Sequence, residues 1–418
     1  MLRPLAVLVF LALPFPSLAA GTHDAKIAAA AEAMRDRLVA CRRDLHMHPE
    51  LSNREERTSK LVAERLRALG VDDLKTGVGR FGVTALIHGK RPGPVVAVRA
   101  DMDALPIDET LKVPYRSLTP GVKHACGHDL HTAVLLGVAE VLTGLRDELP
   151  GTVKLIFQGA EEGPPAGEEG GAKLMVKEHA LDAPHPTAIF GLHSWPLLPV
   201  GNVGFMPGPA MAAADKFVIH IRGKKTHGAA PHLGIDAIVV AAECITALQT
   251  LRSRRVDPTE PLVVSVGMVS GGNRFNIIAD EVRLEGTVRT LDEELHKRIP
   301  KLMHEVIGGI TAAHGASYDM TYEETAALTA NDPALVEASL PSLRRALGPT
   351  HVVPLRPLTA AEDFAYFSRV IPGFYFFLGV GNRTMTAMVH TPDFDLDESA
   401  LVHGVKALST LLVDYLER

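Results

Sequence analysis

The chain has 418 residues, of which 46% are hydrophobic, 22% are charged and 5% are aromatic. This composition is ordinary for a globular protein, and it excludes a disordered or fibrous chain. The 43 basic and 49 acidic residues give a formal net charge of −6 without a basic block, so nucleic acid is not an expected partner. The length exceeds the roughly 250 to 300 residues at which single cores stop growing, so two domains are expected.

The first twenty residues have the pattern of a cleavable secretory signal. One charge, Arg3, precedes an apolar run from Leu5 to Leu13, and small residues follow as far as Ala20. This run is much shorter than the roughly 20 residues needed to cross a bilayer, so a stable membrane anchor is not expected. We therefore expect residues 1–20 to be a signal peptide and the mature protein to be periplasmic or secreted.

The three cysteines are too few and too widely spaced for a disulfide framework. Cys41 and Cys244 lie in helical apolar patterns, which are typical of small buried residues. Cys126 has polar and histidine neighbours, so it is the cysteine that we expect to take part in chemistry.

Strands and helices alternate in the first half of the chain, which predicts an α/β fold with a mainly parallel sheet and helices on both faces. The predicted elements, in chain order, are helices Lys26–Leu45 and Glu55–Leu69, strands Val83–His88 and Pro94–Arg99, helix Leu130–Leu145, and strands Thr152–Phe157 and Thr187–Leu192. Residue His193 is expected at the end of the last of these strands.

The order of predicted strands and helices changes between residues 213 and 323. There it is β-α-β-β-α-β, the order of a ferredoxin-like α+β sandwich. Its predicted elements are strand Lys216–Arg222, helix Ile235–Arg252, strands Leu262–Val269 and Glu281–Arg289, helix Glu293–Ala313 and strand Ser317–Glu323. The α/β pattern then resumes with helix Ala334–Ala346, strand Phe374–Val380 and helix Ser399–Leu416. We therefore predict a catalytic domain formed by residues 21–212 and 324–418, with residues 213–323 inserted into it.

The strongest local signal for chemistry is the segment from His124 to Thr132. It places three histidines, Cys126 and Asp129 within nine residues at the start of a predicted helix. Thiolate and imidazole groups suit a borderline metal ion such as zinc or manganese. The alternative interpretation is a polar helix cap with surface histidines, because the spacing is not that of a standard zinc finger.

A second signal is the pair Glu161 and Glu162, which follows a predicted strand. Adjacent carboxylates can divide their roles, one binding a metal ion and the other acting as a base. The alternative is a solvated acidic loop, which the nearby Glu168 and Glu169 favour. Further candidates end or follow other predicted elements, and several would converge at the carboxyl edge of one sheet: Asp101, Asp103, His193 and His390.

With these segments in view, the sequence resembles the M20 metallopeptidase family, in the branch of aminoacylases, hippurate hydrolases and plant auxin-conjugate amidohydrolases. The segments that carry the resemblance are 43–46 with 49–52, 99–106, 124–132, 157–162, 191–193, 227 with 231–232, 286–289, 361–365 and 390–392. They occur in the family's order over nearly the whole chain after the signal sequence.

The resemblance implies a centre of two divalent metal ions. The implied ligands are Cys126, His128, Glu162, His193 and His390. Glu161 matches the family's general base. Asp103 is expected to orient one of the metal-binding side chains without binding a metal ion itself. A thiolate ligand is compatible with manganese, zinc, cobalt or nickel, of which manganese and zinc are favoured. His46 and His48 are expected to have a structural or orienting role instead of binding metal.

The resemblance also implies roles for residues of the inserted domain, which would act as a lid or dimerisation domain. His227 matches a residue that stabilises the oxyanion, often across a dimer interface, so a homodimer is expected. Asn276 and Arg289 match positions that hold the substrate carboxylate. The sequence departs from the family pattern at Gly159, where relatives have proline, and in an extra piece within residues 163–171. The resemblance therefore does not imply the shape of the substrate pocket.

The function implied is hydrolysis of the amide bond of N-acyl-L-amino acids to a carboxylic acid and a free amino acid. A metallo-dipeptidase or carboxypeptidase of the same fold is the nearest alternative, since it must also hold a substrate carboxylate. A binding protein that keeps the metal without turnover is a third alternative. The presence of Glu161 together with all five implied ligands argues against it.

Overall fold

The computed structural model describes residues 21–418, so the predicted signal peptide lies outside the described residues. Within residues 21–418, no helix is both long enough and apolar enough to cross a membrane. The helices are α1 Asp24–Ala33, α2 Arg35–Met47, α3 Glu56–Leu69, α4 His128–Leu145, α5 Gly171–Lys177, α6 Ala237–Leu248, α7 Glu293–Ala313, α8 Pro333–Leu347, α9 Ala365–Ser368 and α10 Ala400–Leu416.

The strands form two large sheets and two short ladders. They are β1 Asp72–Val78, β2 Gly82–His88, β3 Arg91–Asp101, β4 Pro150–Gln158, β5 Ala188–Pro199, β6 Val203–Phe205, β7 Gly208–Met211, β8 Ala213–Arg222, β9 Thr226–His227, β10 Leu262–Gly271, β11 Ile277–Ile278, β12 Glu281–Thr290, β13 Ser317–Ala326, β14 Thr329–Asn331, β15 Val352–Pro354 and β16 Gly373–Gly381.

The larger sheet has eight strands in the order β1-β2-β4-β3-β5-β16-β6-β15. Its central strands β4, β3, β5 and β16 run parallel, whereas β1 and β2 join one side in antiparallel fashion. Alternate residues of β3 face opposite sides: Val96 and Val98 belong to the main core and Ala97 to a second one. Helices α1–α4, α8 and α10 cover the first side, and α5 and α9 cover the other. The predicted fold class is confirmed.

The smaller sheet has four strands in the order β10-β12-β8-β13, all antiparallel. Helices α6 and α7 pack on one face and enclose a hydrophobic core of its own, to which Phe217, Ile219 and Ile221 contribute. This is the ferredoxin-like arrangement that the element order predicts, with β10 at one edge. Residue 323, the predicted end of the insertion, lies inside β13.

Two of the predicted elements are wrong in detail. The helix predicted over Lys26–Leu45 is two helices that break at Met34, which has φ −97° and ψ 2°. The break lets Ile27 of α1 and Leu38 of α2 enter the same core, a requirement that the alanine-rich pattern does not reveal. The strand predicted to end before His193 continues to Pro199, because β5 pairs with β16 along this extension.

A buried ion cluster holds the start of α4 against α2. The Arg42 guanidinium lies 2.8 Å from the Asp129 carboxylate and 3.3 Å from that of Asp395, and the three side chains are at most 7% exposed. His46 Nδ1 lies 2.7 Å from Asp129 and its Nε2 lies 3.2 Å from Glu109. His46 is therefore part of this cluster, which fixes the backbone immediately after His128.

Removal of Arg42 tests how much this ion cluster contributes to the stability of the fold. Arg42→Ala leaves Asp129 buried without its cation, so we expect the free energy of unfolding to fall by about 3–5 kcal/mol. Arg37 is the control: it pairs with Glu140 at the surface, where the two side chains are 60% and 42% exposed, and Arg37→Ala should cost less than about 1 kcal/mol. Equal urea midpoints for the two variants would contradict the assignment.

Candidate metal centre

The carboxyl ends of parallel strands bring the candidate residues together. Asp101 is the last residue of β3 and pairs in register with Gln158, the last residue of β4. Glu161 and Glu162 follow Gln158 after a short turn, and Asp103 follows Asp101. Because β3 and β4 are parallel, both polar segments emerge at one edge of the sheet.

The start of α4 closes against this edge through a glycine. Gly127 has φ +91°, and a Cβ at this position would lie 2.4 Å from Ser194 Oγ on β5. A side chain is thus excluded by both conformation and space. The approach brings Cys126 and His128, on either side of Gly127, against His193 of β5.

The five side chains implied as ligands converge around the Cys126 thiol. Its Sγ lies 3.3 Å from His193 Nε2 and 3.3 Å from His390 Nε2. His390 Nε2 lies 3.2 Å from Glu162 Oε1, and His128 Nε2 lies 3.9 Å from the same oxygen. Within residues 21–418, five groups of three side chains have potential ligand atoms within 4.8 Å of one another, and two of these groups, Cys126–His128–His193 and Cys126–Glu162–His390, consist only of implied ligands. Cys126 belongs to both groups.

The donor atoms of this cluster fit divalent cations. Within residues 21–418, His128 Nε2 and Glu162 Oε1 are buried and have no hydrogen-bond partner, which is uncommon for buried polar atoms. The Nδ1 atoms of two of these histidines have oxygen partners on the side away from the cluster. His128 Nδ1 lies 3.3 Å from Asp103, and His193 Nδ1 lies 2.7 Å from the Ser194 carbonyl oxygen. Such partners orient imidazoles whose free nitrogen faces a metal ion.

The electrostatics of the cluster also favour cations. Burial, together with Glu162 and Glu161, raises the pKa of the Cys126 thiol well above its usual value. Burial and Glu362 likewise raise the pKa of Glu161. Burial opposes protonation of His128, yet Asp101 and Asp103 raise its pKa to about 10. The cluster alone therefore retains protons, and divalent cations would take their place as the compensating positive charge.

A buried charge network around Arg99 lies next to Glu161. The buried Arg99 guanidinium lies 2.7 Å from Asp101, 3.0 Å from Glu362 and 2.9 Å from Asp363. On the other side of Asp101, His131 Nδ1 lies 2.6 Å from its carboxylate. Arg99 and Glu362 are 263 positions apart, so no local spacing signals that they meet.

The turn that delivers Glu161 and Glu162 has an unusual backbone. Ala160 has φ +55°, a region that residues with a Cβ rarely adopt, and its N–H donates to Glu55 Oε1 at 2.7 Å. A Cβ on Gly159 would lie 2.9 Å from the same carboxylate oxygen. The departure from proline at Gly159 therefore leaves room for Glu55, which anchors the turn.

A cavity of about 640 Å³ opens over the cluster, bordered by Cys126, Glu161, Glu162, His193 and His390. Arg289, on β12 of the smaller sheet, borders the same cavity. The structure thus places one of the two expected carboxylate-binding residues beside the candidate metal centre.

His227 and Asn276 are brought together elsewhere and do not border this cavity. His227 is the last residue of β9 and Asn276 immediately precedes β11, and beside this ladder the Gly228 N–H donates to the Asn276 carbonyl oxygen at 2.8 Å. His227 is exposed, and Asn276 Oδ1 is buried without a partner in the described part of the chain. The chain by itself does not unite these two residues with Arg289.

Comparison with known proteins identifies the family. Residues 97–414 match the model of peptidase family M20/M25/M40. The chain belongs to this family. The M20 resemblance is thereby confirmed, and the protein is a metal-dependent hydrolase that acts on linear amide bonds.

Relatives within the family differ in the activities that their names give. An N-acyl-L-amino acid amidohydrolase of Geobacillus stearothermophilus is 46% identical over 286 residues, covering 68% of this chain and 75% of that protein. Thermostable carboxypeptidase 2 of Saccharolobus solfataricus is 38% identical over 386 residues, 91% of this chain and 96% of that protein. A crystal structure of a dinuclear metal-binding M20 peptidase of Bacillus subtilis has a TM-score of 0.79 and 37% identity, covering 92% of this chain and 99% of that one.

Loss of the shared thiol tests the metal centre. We expect Cys126→Ala to reduce the metal bound per chain, measured by elemental analysis after gel filtration, because the two groups formed only by implied ligands both contain this side chain. Cys244→Ala is the matched control, since Cys244 is equally buried but lies in the core of the smaller sheet. Equal metal content in the two variants would refute the assignment of Cys126.

Proposed function

We propose that the protein hydrolyses N-acyl-L-amino acids to a carboxylic acid and a free amino acid with two divalent ions per subunit, manganese or zinc in preference to cobalt or nickel. The observation that carries the proposal is the position of Arg289, which borders the cavity over the metal-binding cluster. Its forked guanidinium suits the free carboxylate of an amino acid. The named activity of the Geobacillus relative supports this substrate class.

The ions would be held by Cys126, His128, Glu162, His193 and His390. Bound there, divalent cations would polarise a carbonyl group and make a water molecule more acidic. Glu161 borders the same cavity and is the residue proposed to accept a proton from the attacking water. As the C–N bond breaks, Glu161 returns this proton to the leaving nitrogen, and Arg289 keeps the amino acid in place.

A carboxypeptidase or dipeptidase is the second candidate. The named activity of the Saccharolobus relative favours it, and Arg289 would serve a terminal carboxylate of a peptide equally well. The two candidates differ in what lies on the acyl side of the scissile bond, an acyl group or an amino acid.

A substrate panel separates these candidates. Protein lacking residues 1–20 and loaded with manganese or zinc is given N-acetyl, N-benzoyl and longer N-acyl amino acids beside matched dipeptides, with EDTA as the control. EDTA-sensitive amino acid release mainly from the N-acyl compounds is the expected result. Preference for dipeptides would overturn the proposal in favour of a peptidase, and no release would favour a binding protein.

Glu161→Gln tests the proposed base. The substitution keeps the shape of the side chain but removes its ability to accept a proton, so kcat should fall by roughly 10²–10⁴-fold. The metal content per chain should stay at the wild-type value. Glu305→Gln, on the surface of α7, should retain wild-type kcat, and a Glu161→Gln variant with comparable turnover would disprove the role.

We further propose that the protein is a homodimer joined through the smaller sheet. Strand β10 is an edge strand of that sheet, and unpaired edge strands readily pair with another chain. Met268 and Val269 on β10 are each 59% exposed, and Phe275 in the loop that follows is 95% exposed. A second copy on this surface would also place a neighbouring subunit within reach of His227 and Asn276.

Sedimentation of a charged variant tests the dimer. Val269→Lys places a charge on the apolar edge and should convert the protein to a monomer. Leu118→Lys is the control, because Leu118 is an exposed apolar residue, 67% accessible, that is not on the smaller sheet. A Val269→Lys variant that sediments like the control, or a wild-type monomer, would contradict this interface.

A further inference from the structure

A second cavity of about 620 Å³ adjoins the cavity over the metal-binding cluster. The two share the residues Glu161, Gly163, Thr325 and Asp363 at their junction. The second cavity is walled by residues 163–170, which contain the extra piece of sequence, and by α5, the end of β13 and Tyr366. Its size lies within the range of small-molecule sites.

The segment 163–170 is anchored at its C-terminal end to the residues before α3. Asn53 Nδ2 donates to the Glu169 carbonyl oxygen at 3.0 Å, and Arg54 pairs with the Glu168 carboxylate at 2.8 Å. A Cβ on Gly170 would lie 2.8 Å from Asn53 Oδ1, which shows how closely this end of the segment approaches Asn53. The last of the extra residues, Glu168 and Glu169, are thus attached to the larger domain near Glu161.

The position of Glu161 at the junction decides how a substrate would lie. A base must be within hydrogen-bond reach of the atoms that it serves, so the scissile amide belongs beside Glu161. Arg289 borders the first cavity and not the second, so the amino acid half of the substrate occupies the first. The acyl half then extends past Glu161 into the second cavity.

The walls of the second cavity favour an uncharged group. Their apolar surface comes from Pro164, Pro165, Leu174 and the Tyr366 ring. Acidic side chains predominate among the polar ones and several are already paired, Glu169 with Lys177 at 2.8 Å and Glu324 with Arg369 at 3.1 Å. Lys173 lies 5.8 Å from the Tyr366 ring centre. The excess of carboxylates opposes an anionic acyl group.

We propose that this second cavity is the acyl-group site of the enzyme, and that it selects uncharged acyl groups much larger than acetyl, such as benzoyl, over small or carboxylate-bearing ones. This inference rests on the proposed function. The acyl carbonyl stays beside the metal-binding cluster, while the remainder of the acyl group packs between the 163–170 segment and Tyr366. An acetyl group would leave this space to water.

The test compares N-acetyl, N-benzoyl and N-succinyl derivatives of one amino acid. For wild-type protein, kcat/KM should be at least tenfold higher for the benzoyl compound than for the other two. Ala166→Trp places a ring in the second cavity and should lower the benzoyl-to-acetyl ratio at least tenfold. Ala29→Trp, an equal change at an exposed position of α1, should leave that ratio within twofold of wild type.

A second variant covers the case in which Ala166→Trp does not fold. Tyr366→Ala removes the ring and should also lower the benzoyl-to-acetyl ratio, whereas Tyr366→Phe should preserve it. If the wild type releases amino acid from N-acyl substrates and the ratio is the same in these variants, the acyl site is wrong but the function stands. If the wild type hydrolyses no N-acyl amino acid, both are overturned.

Discussion

Concentrated negative charge inside the protein is the constraint on which the site depends. Asp101, Asp103, Glu161, Glu162 and Glu362 all lie near His128 or Arg99, and water is largely excluded from them. Burial raises the free energy of each carboxylate, so cations must be supplied. Although burial opposes ionisation, His128 and Arg99 hold the pKa of Asp101 well below its usual value. The remaining excess of negative charge borders the cavity, where metal ions would supply the compensating positive charge.

Rigid backbone keeps these like charges close together. The left-handed conformations of Gly127 and Ala160 shape the two segments that carry Cys126, His128 and Glu162, three of the five implied ligands. Each conformation is stabilised by its surroundings: Ser194 packs against Gly127, and Glu55 binds the Ala160 N–H. His390 also has φ +63°, and its N–H donates to the Ala125 carbonyl oxygen at 2.7 Å. Backbone strain at Ala160 and His390 is thus localised at the site, as expected where function requires a fixed geometry, whereas Gly127 adopts its positive φ without strain.

The smaller sheet supplies part of the wall of the cavity over the metal-binding cluster. Arg289 reaches the cavity from β12, and Thr325 from β13 borders both the metal cavity and its neighbour. The catalytic body contributes the opposite walls through the extra residues 163–170. The pocket therefore lies between two separately packed cores, so its shape depends on both sheets and on the short segments that join them.

Much of the fold follows directly from local patterns. The alternation of β-branched runs with amphipathic helices predicted the mainly parallel sheet and the ferredoxin-like sandwich, because hydrophobic periodicity reports the face that each element buries. The short strands, such as β6 and β15, carry too few residues for a periodic signal. The break at Met34 and the extension of β5 beyond His193 depend on partners distant in sequence.

The sequence by itself determined which residue types are available for chemistry: a thiol, histidines and paired carboxylates at strand and helix ends, within the segments that mark the M20 family. Only the tertiary structure decided which of them meet. It joined Arg99 to Glu362 and Asp101 to His131, and it brought Arg289 to the cavity. It left His227 and Asn276 outside that cavity. Such contacts depend on how whole sheets pack against each other. The free energy of burying paired charges is a property of that packing. Neighbouring residues in the chain therefore do not encode which distant groups will meet.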